Sequence, residues 1–191
     1  MLPRLLSILG VLTAIFCLLA ATKLQPKGFD WNRDFISTLL RGPAGPARTL
    51  ADAAVLFFCV SIALVFERLA RVIEFSKNAK VIRIGGIGSM VYAGLTITPM
   101  HDLMVTISLI FLPVAVISLA LALYFGRETG FFVGGCVCLL VLVASATIYY
   151  SGLYTSVLPW AQRVSFALLT VWLVSLDCYF PKALQLSRSH Y

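Results

Sequence analysis

The chain has 191 residues, 60% hydrophobic and only 12% charged, with a mean hydropathy of +0.96. Soluble domains carry about 25% charged residues, so this composition excludes an ordinary water-soluble core and points to lipid as the solvent. The net charge of +7 does not indicate nucleic acid, because the cations are scattered between apolar runs rather than gathered on one face.

A helix crossing the hydrocarbon needs about 20 mostly apolar residues. Six runs satisfy this, near 4–22, 49–70, 82–99, 102–125, 130–152 and 159–180. They predict an all-α polytopic bundle of six transmembrane helices, with residues 1–191 forming a single integral membrane domain. The first run places Arg4 before a long apolar stretch, as a signal peptide would. It lacks a clear small-x-small cleavage site, and Ile15-Phe16 occupies the small-residue positions a lipobox would need before Cys17. An uncleaved first span is expected.

The first loop contains FDWNRDFISTLLRGP, residues 29–43, the most polar stretch before the second span. A helix over 30–41 would put Asp34, Ser37, Thr38 and Arg41 on one face by i, i+3, i+4 and i+7 spacing. Phe35, Ile36, Leu39 and Leu40 would share the other face, and Gly42-Pro43 would end the helix. Such a short amphipathic helix either lies in the headgroup plane as a tether or turns its polar face into a pocket between the helix tops. Asp52, at the start of the second span, reads as a carboxylate favoured by the helix dipole. Glu67 and Arg68, with Asp177 in the sixth span, read as charges at the opposite membrane interface.

In the third span Gly85, Ser89 and Ala93 recur every four residues, and Gly130, Gly134 and Cys138 do so in the fifth. Such stripes let helices approach closely in lipid, within the chain or toward a second copy or a partner subunit. GGIG at 85–88 follows a charged connection rather than a strand, so it reads as packing and not as a phosphate loop. Pro113 predicts a kink in the fourth span. The cysteines, Cys17, Cys59, Cys136, Cys138 and Cys178, all fall in apolar runs, where a free thiol acts as a small hydrophobe.

Positive charge orients the spans. One side holds Arg4, Arg68, Arg71, Lys77, Lys80, Arg83, Arg127, Lys182 and Arg188; the other holds Lys23, Lys27, Arg33, Arg41, Arg48 and Arg163. The excess on the first side predicts both termini in the cytoplasm. The outer side then receives the 23–48 loop, the Thr98–Asp102 junction, the Tyr149–Trp160 connection, and Gln162 and Arg163.

Among these residues His101 stands out, because ionisable groups at membrane depth are functional suspects; its plainer role is a hydrogen-bonded interfacial residue after Pro99. Asp102 is its neighbour, but i,i+1 side chains diverge on a helix, so Asp34 or Asp30 is the expected partner. That pair would act as a general base with its orienting carboxylate or help bind a cation. Ser37 is the candidate nucleophile, although a serine in an Ile-Ser-Thr run is more often a helix-surface hydroxyl. Arg163 either snorkels outward or pairs with Asp34, Asp52 or a lipid phosphate, which suits its planar fork. Tyr149, Tyr150, Tyr154 and Trp160 read as an aromatic belt. The candidate binding set is therefore Asp30, Arg33, Asp34, His101, Asp102, Gln162 and Arg163. One histidine with carboxylates is a poor zinc set, and no nucleotide, haem or flavin motif occurs, so neither metal nor cofactor is expected.

Asp34-Phe35-Ile36-Ser37 before the second span, Thr98-Pro99-Met100-His101 opening the fourth, and Gln162-Arg163 with Trp172 in the sixth carry a resemblance. The chain resembles a six-span bacterial and archaeal membrane protein family with a domain of unknown function, distantly similar to the DRAM and GPI-lipid-remodelling group. Members of that family tend to show an acidic residue and glycine after the Ile-Ser pair, where this chain has Thr38-Leu39-Leu40. The resemblance implies an outward polar cluster and a link to lipid handling. Three function classes follow: binding or modification of a lipid headgroup at the outer face, a structural or accessory subunit, and a small-solute transporter. No span carries a mid-membrane ionisable residue and no inverted repeat is evident, which disfavours the third.

Overall fold

Prolines and glycines punctuate the long apolar runs into helices. The computed structural model describes residues 2–26, 28–73 and 76–188. In chain order it contains α1 (Leu2–Lys23), α2 (Ile36–Arg41), α3 (Pro46–Val72), α4 (Ser76–Gly94), a 3-10 turn at Leu95–Ile97, α5 (His101–Phe125), α6 (Thr129–Ser151) and α7 (Leu158–Arg188). No strand occurs among the described residues. Pro46 opens α3 at a first-turn position where no N–H is needed, and Gly152, at φ +67°, ends α6 in the left-handed conformation.

Five helices, α1, α3, α5, α6 and α7, are long and apolar enough to cross a membrane. The third expected span differs. Its helix runs from Ser76 to Gly94 and includes Lys77, Lys80 and Arg83, and it is not among those five. It then tightens into the 3-10 turn, since Pro99 disfavours helix at Thr98. The Thr96 and Thr98 hydroxyls donate back to the Ala93 and Leu95 carbonyls. Arg83 is neutralised on α3 by Glu67 at 2.7 Å, which also pairs with Arg71 at 2.8 Å.

Sequential helices pack side by side from α3 to α7, and α7 returns to α3, while α1 lies along α3. The main core gathers Ile62, Phe66 and Leu69 of α3, Leu112, Val116 and Leu119 of α5, and Trp172, Leu173 and Leu176 of α7. Glycines let these helices meet. A Cβ on Gly10 would lie 2.0 Å from the Ser61 hydroxyl, and one on Gly86 would lie 2.2 Å from the Phe66 ring. Gly134 and Gly135 form a slot for Trp172, each within 2.8 Å of its ring once a Cβ is added. Trp172 also donates through Nε1 to the Phe131 carbonyl at 2.9 Å. The stripe at Gly85 is likewise used inside the chain, against Ala115 and the Phe111 carbonyl.

At the end where α3 and α7 finish, Arg68 grips Asp177 with two parallel bonds, Nε to Oδ1 at 2.9 Å and Nη2 to Oδ2 at 2.7 Å. Nη2 also donates to the Ser7 hydroxyl on α1 at 2.8 Å. The Asp177 side chain is only 7% exposed. This pair is therefore an internal tie among three helices. The partnership was not visible in the sequence, because apolar surroundings look alike there whether a residue faces lipid or a neighbouring helix. Breaking a buried pair by removing one partner costs about 3–5 kcal/mol. Arg68→Ala and Asp177→Ala should each lower stability by about that much in detergent unfolding, and the double variant should cost less than their sum.

Candidate functional site

The polar end of the bundle is formed by the α1–α3 loop, the 3-10 turn, and the adjoining ends of α5, α6 and α7. The loop does not form the expected helix over 30–41. Helical structure begins only at Ile36, because the acidic side chains preceding it hold the backbone in turns. The Asp30 carboxylate accepts the Asn32 N–H and the Asp34 carboxylate accepts the Asp30 N–H, both at 2.8 Å. Asp and Asn side chains compete with the helix in this way. Arg33 makes only an exposed pair with Asp30 at 3.8 Å. Within α2, Leu39 and Leu40 are buried beside Ala21 of α1 and Ala51 of α3.

Two clusters result. In the first, Arg41 Nη2 lies 2.9 Å from His101 Nδ1 and also donates to Asp102 Oδ1. His101 Nδ1 and Asp102 Oδ1 are 3.0 Å apart. The expectation that Asp102 would diverge from His101 is thus overturned: both open α5, and one guanidinium draws both toward it. Arg41 can only donate, so its contact calls for an acceptor at Nδ1, whereas the Asp102 contact calls for a proton there; the ring's tautomer sets which of the two is a hydrogen bond. Tyr149 adds a donor to Asp102 Oδ1 at 3.4 Å, and Tyr150 donates to the Thr106 hydroxyl at 2.9 Å. These tyrosines thus do more than form a belt.

The second cluster surrounds Arg163. Its Nη2 donates to the Asp34 carbonyl at 2.6 Å, and its Nη1 donates to the Trp31 carbonyl. The guanidinium lies over three rings, 5.1 Å from Trp31, 5.7 Å from Trp160 and 5.9 Å from Phe29. Arg163 therefore fastens the loop to α7 through backbone and aromatic groups rather than through a carboxylate. Arg163 Nε and the neighbouring Gln162 Oε1 are buried without a hydrogen-bond partner.

Asp34, His101 and Arg163 consequently do not share one hydrogen-bonded network. Neither Asp34 nor Ser37 bonds to His101, and no nucleophile–base pair forms among the described residues. The cluster that does form includes Arg41, expected only on the polar face of the loop helix. Beside it lies a recess of about 440 Å³ lined by Leu40, Arg41, Arg48, Thr96, Ile97, Thr98, Pro99, His101 and Asp102. That volume lies within the roughly 300–1,000 Å³ of ligand sites. Arg48 reaches it from α3, held by Asp52 at 3.9 Å and the Gly42 carbonyl at 3.4 Å. His190 lies outside the described residues, and no group of three or more metal-ligating side chains occurs within them.

No protein-family model, curated protein or solved structure gives a significant match to this chain.

Arg163→Ala removes two charge-assisted hydrogen bonds, each worth about 1.5–3 kcal/mol, together with its ring contacts. Limited proteolysis should then cut within residues 28–35 at least about tenfold faster. Asp102→Asn breaks a pair whose carboxylate is 65% exposed, so the melting temperature should remain nearly unchanged.

Proposed function

We propose that this chain is an integral membrane protein of a bacterial or archaeal cell that binds a phosphate-bearing lipid headgroup in the recess at its polar end. The observation carrying this reading is the state of Arg41. It contacts His101 and Asp102 through Nη2 alone, leaving Nε and Nη1 without a protein partner among the described residues. Arg48, another arginine, lines the same recess. Paired guanidinium groups suit a phosphate, while Asp102 offers an acceptor to a cationic or hydroxylated part of the same headgroup. α2 serves as a short interfacial lid, with Leu39 and Leu40 inward and Arg41 at the recess.

In this reading α4 is the sixth span. Its outward residues Val81, Ile84 and Val91 are apolar and open, as a lipid-facing stripe requires, and its Arg83 is paired with Glu67. Six spans place both termini on one side, and the charge distribution makes that side cytoplasmic. The recess then opens to the outer leaflet. The link to lipid handling that the sequence resemblance implies at longer range is in keeping with this assignment.

A second reading, an accessory subunit, draws on α6. Val133, Val137, Leu140 and Val143 form an exposed apolar ridge there. That ridge, rather than the glycines occupied by Trp172, would meet a partner or a second copy.

The headgroup reading is tested by native mass spectrometry of the full chain with phosphatidylglycerol and with diacylglycerol of the same acyl chains. Preferential retention of the phospholipid is expected. Losing a charge-assisted bond costs about 1.5–3 kcal/mol, so Arg41→Gln with Arg48→Gln should weaken retention at least about tenfold. Equal retention of both lipids by the unmodified protein would sink the reading.

A further inference from the structure

A second recess opens further along α5. It is an open apolar groove of about 380 Å³ between α5 and α6, with Leu109, Pro113, Leu142, Ala146, Thr147 and Tyr150 among its walls. Its upper end meets the polar cluster through a continuous line of contacts. Asp102, which lines the headgroup recess, accepts the Tyr149 hydroxyl at 3.4 Å, and its carbonyl accepts the Thr106 hydroxyl at 2.8 Å. Thr106 in turn accepts from Tyr150, a wall of the groove, at 2.9 Å.

Asp102, Thr106, Leu109 and Pro113 follow i, i+4, i+7 and i+11 spacing, so they share one face of α5. At 1.5 Å per residue this stripe spans about 16 Å, close to half the roughly 30 Å of bilayer hydrocarbon. One face thus passes from charged, through hydroxyl, to apolar over the depth of a single leaflet. Free phosphate would use only the first part of that gradient, and an apolar partner helix only the last.

We propose that the occupant is a single glycerophospholipid, its phosphate held by Arg41 and Arg48, its glycerol region against Thr106 and Tyr150, and one acyl chain in the α5–α6 groove down to Pro113. The proposal rests on the headgroup reading above and adds the groove to the binding site. The phosphate meets two arginines while the acyl chain meets walls that carry no charge, so the occupant's polarity follows that of the protein.

The test uses the full chain in phosphatidylcholine vesicles doped with a phosphatidylglycerol analogue bearing a diazirine midway along one acyl chain. After illumination, labelled residues are mapped by mass spectrometry. Labelling concentrated on residues 109–113 and 142–147, at least about fivefold above Val133, Val137 and Leu140 on the exposed side of α6, is the expected result. Ala146→Trp should fill the groove and abolish that enrichment. Thr147→Trp, at an exposed position, is a second filling variant should the first fail to fold. Uniform labelling with an intact headgroup preference would overturn the groove proposal alone. Enriched labelling that survives Arg48→Gln together with Arg41→Gln would overturn the headgroup reading and this proposal with it.

Discussion

Helices in lipid gain little from hiding apolar surface against each other, because the hydrocarbon around them is equally apolar. Their association depends instead on close approach, and this bundle obtains it at a few positions lacking a side chain. Gly10 admits Ser61, Gly86 admits Phe66, and Gly134 with Gly135 admits Trp172. Each is a contact between a missing Cβ and a specific group on the facing helix, so each sets helix spacing and rotation together. The Trp172 indole then uses its one donor on the Phe131 carbonyl, which fixes the ring in the slot. With these contacts set, the adjoining ends of α5, α6 and α7 form the platform on which the polar residues sit.

That platform separates structural from available charge. Arg163 spends two of its nitrogens on loop carbonyls and lies among three aromatic rings; it is committed to holding the chain. Arg41 is attached through one nitrogen and is more than half exposed. The distinction comes from geometry, since the sequence shows each only as an arginine near the end of a helix. It moves the candidate chemistry from Asp34 and Arg163 to Arg41, Arg48, His101 and Asp102.

Much of the helical framework was legible because a bilayer imposes a minimum length on apolar runs, and five of the expected runs are helices that meet it. The run near 82–99 was less so. Its cations belong to the same helix as its glycines, and only the Arg83–Glu67 pair shows how one of them is accommodated. Periodicity over 30–41 gave two faces but took no account of the carboxylates that bind backbone N–H groups and hold residues 30–34 in turns. The His101–Asp102 pairing was hidden because neighbours on a helix diverge unless a third group draws them together, and Arg41 lies 60 positions away from His101. Arg68 and Asp177 lie 109 positions apart, a distance over which no local pattern reports a contact.

The stretch from Trp31 to Arg41 is fastened at its two ends to different helices, to α7 through Arg163 and to α5 through the first cluster. It therefore works as a strap across the polar mouth, limiting how far α5 and α7 can separate there. At the opposite mouth, the Arg68–Asp177–Ser7 knot binds α3, α7 and α1. A bundle laced at both mouths resists the alternate splaying on which rocking carriers depend. Under the lipid-binding proposal, such lacing means that a ligand would enter sideways from the bilayer, between helices, without parting them at either surface.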